Sequence, residues 1–381
     1  MKSISIIITT IVLSFIVLNS CKKEKQITSG VELKLPNDNF DYILDNSKAK
    51  IGRVLFYDKA LSVNNSISCG SCHKQELAFS DGEILSPGFD NRTGNRNTPP
   101  IQNINANFQS LFWDARETSL KSMVTKPVFN HIEMGVKSNE YLLANVKAQP
   151  YYASLFAEAF PNGKVTIENI SECLTNFIGS METNNSEFDR PVESRSFEVN
   201  EGEKLFFGKY NCGSCHNVRN PKGYDGGDEI GGGNTFFTTN GKEITLGDKI
   251  SEDEIRKIML GQPMVNIGLD MNYSDKGFVE VTGDSEDNGK FKIPNLRNIM
   301  LTAPYMHDGR FNSIDEVLDF YSKGIKQHKN LDIRLLSQDL KKPQVLSISK
   351  EERTQLKAFL NSLTDHNFIS DSKFSDPFTK K

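Results

Sequence analysis

The sequence predicts a mainly α-helical protein made of two related domains with long loops. Three observations support this fold class: a length of 381 residues, a pentapeptide that occurs twice, and short amphipathic helical patterns near both copies. At roughly 100 to 200 residues per domain, the length fits two domains. The formal net charge is -4, and no cluster of Lys and Arg stands out. Nucleic acid is therefore not expected as a partner, because phosphate binding requires concentrated positive charge.

Residues 1–21 are typical of a lipoprotein signal peptide. Lys2 precedes an apolar stretch from Ile4 to Val17, and Leu18–Cys21 follows as a lipoprotein box in which Cys21 would become the lipidated N-terminus. The alternative is a single transmembrane anchor, although the apolar run is shorter than the ~20 residues of a span. Both interpretations place the body of the protein outside the cytoplasm, in the periplasm or cell envelope. Residues 22–45 are polar, and we interpret them as a tether.

The repeated pentapeptide organises the rest of the chain. Cys-Gly-Ser-Cys-His occurs at 69–73 and again at 212–216, and C-x-x-C-H is the attachment pattern of c-type haem. In this pattern each thiol forms a thioether to the haem, and the His binds the iron as the proximal ligand. The predicted residues of two covalently bound haem c groups are the thiols Cys69, Cys72, Cys212 and Cys215, with His73 and His216 on the irons.

The segments before the two motifs are also related. Both contain the pattern Gly-x-x-Leu-Phe, at 52–56 and at 202–206. This second repeat predicts two domains of common architecture. The predicted boundaries are an N-terminal haem domain at 46–190, a hydrophilic linker within 184–200, a C-terminal haem domain at 198–366 and a tail at 367–381.

A zinc site is the main alternative for the four motif cysteines. Zinc would require the two pairs to converge, yet they are farther apart in sequence than in zinc ribbons, and both following His would be unexplained. A thioredoxin-like redox pair lacks the surrounding βαβ pattern. Cys173 is different, because it lies on the apolar face of a helical pattern at 167–181, where a Cys is usually buried.

Two further helices have clear starting signals. Ser349 with Glu352 forms a capping box before an apolar face that extends to Leu363, and Ser313 opens a helix that closes near Gly324. The Gly- and Asn-rich segments 217–241 and 282–290 show little apolar periodicity. We therefore expect loops in both segments. His328 and His366 have no motif around them and are assigned to the surface.

Seven motifs, in the same order along the chain, resemble the bacterial di-haem cytochrome c peroxidase and MauG family. They are Leu55–Asp58, Ala78–Gly82, Arg96–Pro99, Phe112–Arg116, Asn130–Gly135, Ile293–Asn298 and Thr302–Arg310. The resemblance covers nearly the whole mature chain. It implies two cytochrome c-like domains whose haems are close enough to exchange electrons, with a calcium ion at their interface.

The resemblance also implies roles for individual residues. Glu133 matches the distal acid, which would take a proton from hydrogen peroxide at the first haem and return it to the leaving oxygen. Trp113 matches an aromatic residue between the haems, with two compatible interpretations: an electron relay and an interface core residue. The calcium ligands would be the side chain of Asn97 and the backbone carbonyls of Thr302 and Pro304.

Three positions depart from the family pattern. Phe89 stands where many members have a His that ligates the resting peroxidatic haem, so we expect that haem to be open unless His131 closes it. Tyr321 stands where the peroxidases have a Met ligand to the second iron and MauG has a Tyr. The alternative ligands are Met264, Met271 and Met306, with Tyr321 then part of the core. Met123 replaces a common Gln near the active site.

Three functions follow from these observations. The first is a peroxidase that reduces hydrogen peroxide with electrons from a small cytochrome c or cupredoxin. The second is a MauG-like oxidase that uses high-valent iron to oxidise a protein or organic substrate, which the Tyr321 ligand favours. The third is a di-haem electron carrier without catalysis, which requires both irons to be six-coordinate. Membrane contact is expected through the lipid anchor alone, and the sequence leaves open whether the protein is a monomer or a homodimer.

Overall fold

The computed structural model describes residues 46–104, 110–216, 264–337 and 339–379, together with the backbone of three strand segments elsewhere. In these ranges the protein is mainly helical, as predicted. No helix in the described ranges is both long and apolar enough to cross a membrane. The predicted signal peptide and Cys21 lie outside the described residues.

Short α-helices form most of the regular structure. Several are opened by Ser or Thr side chains that accept a hydrogen bond from the first turn, as Thr166 does for the helix that carries Cys173. The helices are α1 (Asn46–Tyr57), α2 (Cys69–Cys72), α3 (Leu120–Met123), α4 (Lys126–Phe129), α5 (Asn139–Ala148), α6 (Tyr152–Ala159), α7 (Ile167–Gly179), α8 (Phe197–Lys204), α9 (Val279–Thr282), α10 (Ile314–Asp319) and α11 (Lys350–Ser362).

Three antiparallel strand pairs complete the regular structure in the described part of the chain. They are β1 (Glu32–Leu33) with β6 (Phe378–Thr379), β2 (Thr235–Phe237) with β3 (Glu243–Thr245), and β4 (Met264–Val265) with β5 (Phe291–Lys292). The prediction of a loop throughout 217–241 is wrong at β2, where β-branched and aromatic residues favour a strand. The rest of that segment lies outside the described residues. The predicted loop at 282–290 is confirmed apart from short helical turns.

A helix pair with the same crossing occurs in both halves of the chain. In the N-terminal half α1 packs on α7 at Gly52, where an added Cβ would lie 2.0 Å from the carbonyl oxygen of Cys173. In the C-terminal half α8 packs on α11 at Gly202, where an added Cβ would lie 2.0 Å from the carbonyl oxygen of Gln355. The Gly of the repeated Gly-x-x-Leu-Phe pattern thus allows two backbones to approach closely.

Replacing Gly202 with Ala is therefore expected to lower the free energy of unfolding by about 1 to 3 kcal/mol, the usual cost of overpacking a tight contact. Gly208→Ala is the matched control, because no neighbouring atom lies within 4 Å of the Cβ that it adds. Denaturant unfolding of both variants measures the difference. Equal stability of the two variants would contradict a close crossing of α8 and α11.

The predicted helix starts are confirmed. Ser349 and Glu352 form a reciprocal capping box on α11, with hydrogen bonds of 3.0 and 3.2 Å. Ser313 accepts from the backbone N–H of Glu316 at 3.2 Å, and α10 continues into a π-helical turn at Phe320–Gly324. Cys173 is fully buried on α7, as expected.

Within the described ranges, three clusters of buried side chains form the core. The N-terminal cluster surrounds α1 and α7, and the C-terminal cluster surrounds α8 and α11. The interface cluster contains Trp113 from the N-terminal half among apolar side chains of the C-terminal half, namely Leu269, Tyr273, Phe291, Phe320, Ile325, Leu331 and Leu335. Trp113 is therefore part of the interface between the two halves.

Two segments interpreted as connecting chain are packed against the core. Within the predicted linker, Phe188 is buried in the C-terminal cluster and Asp189 pairs with the buried Arg297. In the predicted tail, Phe368 and Phe374 are buried in the N-terminal cluster. Neither segment is free chain, because each supplies large apolar side chains to a core.

One of the two His residues assigned to the surface is buried. His328 Nδ1 accepts a hydrogen bond from the backbone N–H of Asn330 at 3.0 Å, and its ring packs edge-on against Tyr273. The surface assignment of His328 is therefore wrong, whereas that of His366 is confirmed. A lone His next to aromatic residues is easily accommodated when a backbone group satisfies its ring nitrogen.

Candidate active site

The first motif lies on the single turn α2. The backbone N–H of Ser68 donates to Ser71 Oγ at 3.0 Å and stabilises the start of this turn. Because residues three apart share one helix face, Cys69 and Cys72 lie on the same side of α2. Both are free thiols and half-buried. This placement suits two thioether bonds to one haem.

The imidazole of His73 is held by a backbone acceptor. His73 Nδ1 lies 2.8 Å from the carbonyl oxygen of Phe79, so Nδ1 carries the proton and Nε2 is the nitrogen that can bind iron. Burial lowers the pKa of His73, although the hydrogen bond to Phe79 opposes this shift. The ring is therefore held in the neutral form that a metal requires.

The second motif has the same arrangement with a different acceptor. Cys212–Ser214 forms a 3₁₀ turn, and His216 Nδ1 lies 3.1 Å from the carbonyl oxygen of Pro294. Burial lowers the pKa of His216 to about 4. Cys212 and Cys215 are free thiols. The residues of both motifs thus fit a covalently attached haem with a proximal imidazole.

The zinc alternative is not supported by the structure. Within the described ranges, no three His, Cys, Asp or Glu side chains converge as a metal site. The two cysteine pairs belong to different halves of the chain and remain separate. Haem attachment at each motif stays a prediction.

Glu133 lies close to the first motif. Its Oε1 accepts from Asn130 Nδ2 at 2.8 Å, and the backbone N–H of Ile132 donates to Asn130 Oδ1 at 2.8 Å, which fixes the loop. Burial raises the pKa of Glu133, and the charge of Arg116 opposes this shift. The charge of Glu133 in turn helps raise the pKa of the Cys72 thiol, where burial is the main cause. A carboxyl group with a raised pKa near a haem motif is suited to proton transfer.

Phe89 lies directly against the loop that carries Glu133. Its backbone N–H donates to the carbonyl oxygen of Glu133 at 2.9 Å, and its buried ring covers Gly135, where an added Cβ would be 2.3 Å from Phe89 Cε1. The phenyl ring of Phe89 has no donor atom, so the side chain at this position cannot coordinate a metal. His131 is exposed. Its backbone carbonyl oxygen accepts a hydrogen bond from Arg92 Nη1 at 2.8 Å. Met123 is buried in the N-terminal cluster.

Trp113 is anchored to both halves of the chain. Its Nε1–H donates to the carbonyl oxygen of Asn97 at 2.8 Å, and its own carbonyl oxygen accepts from the backbone N–H of Lys292 at 2.8 Å. The ring is buried in the interface cluster. These contacts establish its structural role at the interface, and an electron-relay role stays a prediction.

The predicted calcium ligands lie on two segments that touch. The backbone N–H of Asn97 donates to the carbonyl oxygen of His307 at 2.7 Å, which brings Asn97 to the segment that carries Thr302 and Pro304. Asn97 Nδ2 donates to the carbonyl oxygen of Glu83 at 2.8 Å. This contact orients the side-chain amide of Asn97. The binding of calcium itself stays a prediction.

Tyr321 lies beside the second motif. It occupies the π-helical turn after α10 and contacts both the C-terminal and interface clusters. Burial raises its pKa, and the neighbouring Cys215 and Cys212 thiols add to this shift. Among the alternative ligands, Met271 is 63% exposed, whereas Met264 is buried on β4. The position of Tyr321 is consistent with the predicted iron ligand.

The predicted ligation of the second iron by Tyr321 is tested by Tyr321→Phe, which removes the phenol oxygen while the ring still fills its place. The ferric EPR signal of the second haem should then change from low spin to high spin, and that of the first haem should not. Tyr305 to Phe is the control, because Tyr305 is also buried in the C-terminal cluster. An unchanged EPR spectrum in the Tyr321 variant would favour a Met ligand.

A largely buried ion-pair network at the interface was not predicted from the sequence. Arg96 donates from Nε and Nη2 to both oxygens of Asp275, at 2.6 and 2.8 Å, and from Nη1 to Asp114. Burial alone would raise the pKa of Asp275, but hydrogen bonds from Arg96 outweigh it and hold the pKa below its usual range. Arg96 and Asp114 stand in recognised motifs, but Asp275 does not, so their pairing carried no signal in the sequence.

The mainly helical fold and the two C-x-x-C-H motifs are typical of a c-type cytochrome. A profile of the di-haem cytochrome c peroxidase family matches residues 46–196. The chain is 30% identical over 275 residues to the cytochrome c551 peroxidase of Nitrosomonas europaea, which covers 71% of each protein. It is 29% identical over 325 residues to the methylamine utilization protein MauG of Methylorubrum extorquens, with 84% of this chain and 79% of that protein covered.

A solved structure shows the same relationship. A MauG-like protein associated with microbial copper homeostasis superposes with a TM-score of 0.69 at 29% identity, covering 91% of this chain and 96% of that one. The chain belongs to the bacterial di-haem cytochrome c peroxidase and MauG family, which confirms the resemblance seen in its motifs. Membership implies haem as the cofactor and an oxidoreductase as the class of protein. The relatives include both peroxidases and MauG proteins.

Proposed function

We propose that the protein is a di-haem peroxidase that reduces hydrogen peroxide to water with electrons from a small cytochrome c or cupredoxin. Each turnover consumes one peroxide, two electrons and two protons and yields two waters. Bound haem supplies the redox-active iron at which the O–O bond is reduced. The observation that carries the proposal is the placement of Glu133, a carboxyl group with a raised pKa, close to the first motif.

The residues of this chain have distinct tasks in the proposed reaction. Glu133 takes a proton from peroxide and returns it to the leaving oxygen, while Asn130 holds Glu133 Oε1 in place. Phe89 keeps the site open, because its side chain offers no ligand and packs against Gly135. His73 is oriented by Phe79. Trp113 carries electrons between the two halves in this proposal.

A MauG-like oxidase is the second candidate, and Tyr321 favours it. A phenol oxygen beside the second motif would stabilise more oxidised iron than a Met thioether would. In this function the protein would use peroxide to oxidise another protein or an organic substrate. A non-catalytic electron carrier is the third candidate. It needs a sixth ligand on the first iron, which the Phe89 side chain cannot supply and which would have to come from the exposed His131.

The remaining features of the proposal concern domains, calcium and location. We propose haem domains at 46–190 and 198–366, and a calcium ion on Asn97, Thr302 and Pro304 that fixes their relative position. The protein would be anchored in the periplasm or cell envelope by a lipid on Cys21. The repeated helix pair, at Gly52 and Gly202, supports the two related domains.

Steady-state peroxide turnover with a reduced small cytochrome c tests the proposed function. We expect two haems per chain and continuous oxidation of the donor that requires peroxide. A matched variant with Ser at Cys69 and Cys72 should retain one haem and lose turnover. Absence of donor oxidation together with a long-lived oxidised state after peroxide addition would favour the MauG-like oxidase. If both haems are low spin and neither reacts with peroxide, the non-catalytic electron carrier is the remaining candidate function.

A further inference from the structure

The segment after α11 returns to the N-terminal half of the protein. We call Phe368–Ser375 the C-terminal strap. Phe368 and Phe374 are 3% and 1% exposed, and both belong to the N-terminal cluster, although they follow the first motif only at the far C-terminal end of the described chain. Burial of two aromatic rings makes this segment an integral part of the N-terminal half.

Polar contacts tie the strap to residues that flank the first motif. The donors belong to α1 and to the turn that follows the motif, and the acceptors are mainly backbone carbonyls of the strap. The contacts are Arg53 Nε to Ser375 O (2.6 Å), Arg53 Nη2 to Ser375 Oγ (2.9 Å), Tyr57 Oη to Phe374 O (2.6 Å), and Gln75 Nε2 to Phe368 O (3.1 Å) and Asp371 O (2.9 Å). The strap is therefore held at a defined position rather than by apolar contact alone.

The strap packs directly on Phe79. Ring centroids of Phe79 and Phe368 are 5.5 Å apart, and those of Phe79 and Phe374 are 6.3 Å apart at 88°. Phe79 has a φ of +60° and follows Ala78 with a φ of +52°. Two consecutive residues with side chains in the left-handed region are strained, so surrounding packing must hold them there. The rings of Phe368 and Phe374 supply that packing on one side.

Phe79 is also the residue that orients the proximal imidazole. Its carbonyl oxygen accepts a hydrogen bond from His73 Nδ1, with 2.8 Å between nitrogen and oxygen. The direction of that carbonyl depends on the left-handed backbone of Phe79. We propose that the C-terminal strap is a positioning device for the first haem, with Phe368 and Phe374 acting on His73 through Phe79. This inference rests on the proposed ligation of iron by His73.

The proposal distinguishes the two haems. A hydrogen bond to the far nitrogen of a proximal His sets the orientation and basicity of the ring, and through them the electron density at iron. The acceptor for His216 is Pro294, which is not part of the strap. Changes in the strap should therefore alter the properties of the first haem and leave those of the second haem unchanged.

Phe374→Ala in the full-length holoprotein tests the inference. We expect a shift or broadening of the iron–histidine stretching band of the first haem in the ferrous resonance Raman spectrum, together with a changed reduction potential for that haem alone. Phe374→Leu should restore most of the original band. Tyr57→Phe removes only the hydroxyl that binds the Phe374 carbonyl, so it provides a milder variant if Phe374→Ala does not fold.

Phe160→Ala is the matched control for loss of a buried ring. Phe160 is buried in the same cluster and stacks on Phe156. The inference is overturned if Tyr57→Phe and Phe374→Ala leave the first-haem band and potential unchanged, or if Phe160→Ala shifts them equally. A wild-type protein without haem on Cys69 and Cys72 would instead overturn the proposed function itself, and a haem count before the Raman measurement separates the two results.

Discussion

Glu133→Gln is expected to lower kcat for peroxide reduction by about 10²- to 10⁴-fold, the usual contribution of a general acid–base group. Gln has nearly the same shape and retains an oxygen that can accept from Asn130 Nδ2. The loop should therefore keep its conformation while the proton-transfer group is lost. Stopped-flow measurement of the reaction with peroxide, under single-turnover conditions, reports this step directly.

The pH dependence provides a second readout for Glu133. Burial raises its pKa, so the carboxyl group stays protonated to a higher pH than an exposed Glu. Since the deprotonated form must accept the first proton, the wild-type rate should fall as the pH drops through this raised pKa. The Gln variant should lack this acidic limb.

Glu140→Gln is the control for the charge change. Glu140 lies exposed in the first turn of α5, so its replacement should leave the rate unchanged. A Glu133→Gln protein with a wild-type rate and the same acidic limb would remove Glu133 from the mechanism. Water or another side chain would then have to transfer the proton.

Arg96→Met is expected to lower the free energy of unfolding by about 3 to 5 kcal/mol near neutral pH. Arg96 is mostly buried and bridges Asp114 of the N-terminal half to Asp275 of the C-terminal half. Its removal leaves the largely buried carboxylate of Asp275 without its bidentate partner, whereas Asp114 keeps its ion pair with Arg116. The cost arises mainly from the uncompensated charge of Asp275, because the Met side chain still fills much of the space.

A double variant tests this explanation for Arg96. Adding Asp275→Asn to Arg96→Met removes one uncompensated charge and should recover part of the lost stability. Arg353→Met is the control, because Arg353 pairs with the more exposed Asp315 and Asp319, and surface pairs contribute about 0 to 1 kcal/mol. Denaturant unfolding that gives Arg96→Met and Arg353→Met the same stability would contradict a structural role for the network.

Local chemistry explains why much of this protein could be predicted. The C-x-x-C-H motifs, the capping box at Ser349 and Glu352, and the repeated Gly-x-x-Leu-Phe pattern all depend on residues within one or two helical turns. Their geometry is set mainly by backbone spacing, so the sequence shows it directly. Local residue patterns did not predict β2, because this strand depends on pairing with β3.

The chain by itself determined the two attachment motifs, the helices with their starts, and the family to which the protein belongs. Only the tertiary structure decided that Arg96 joins Asp114 to Asp275, that His328 is buried, and that Phe374 packs on Phe79. These contacts join residues far apart in sequence, and neither partner has a local pattern that identifies the other. Their free energy comes from burial and charge pairing, which exist only after the chain has folded.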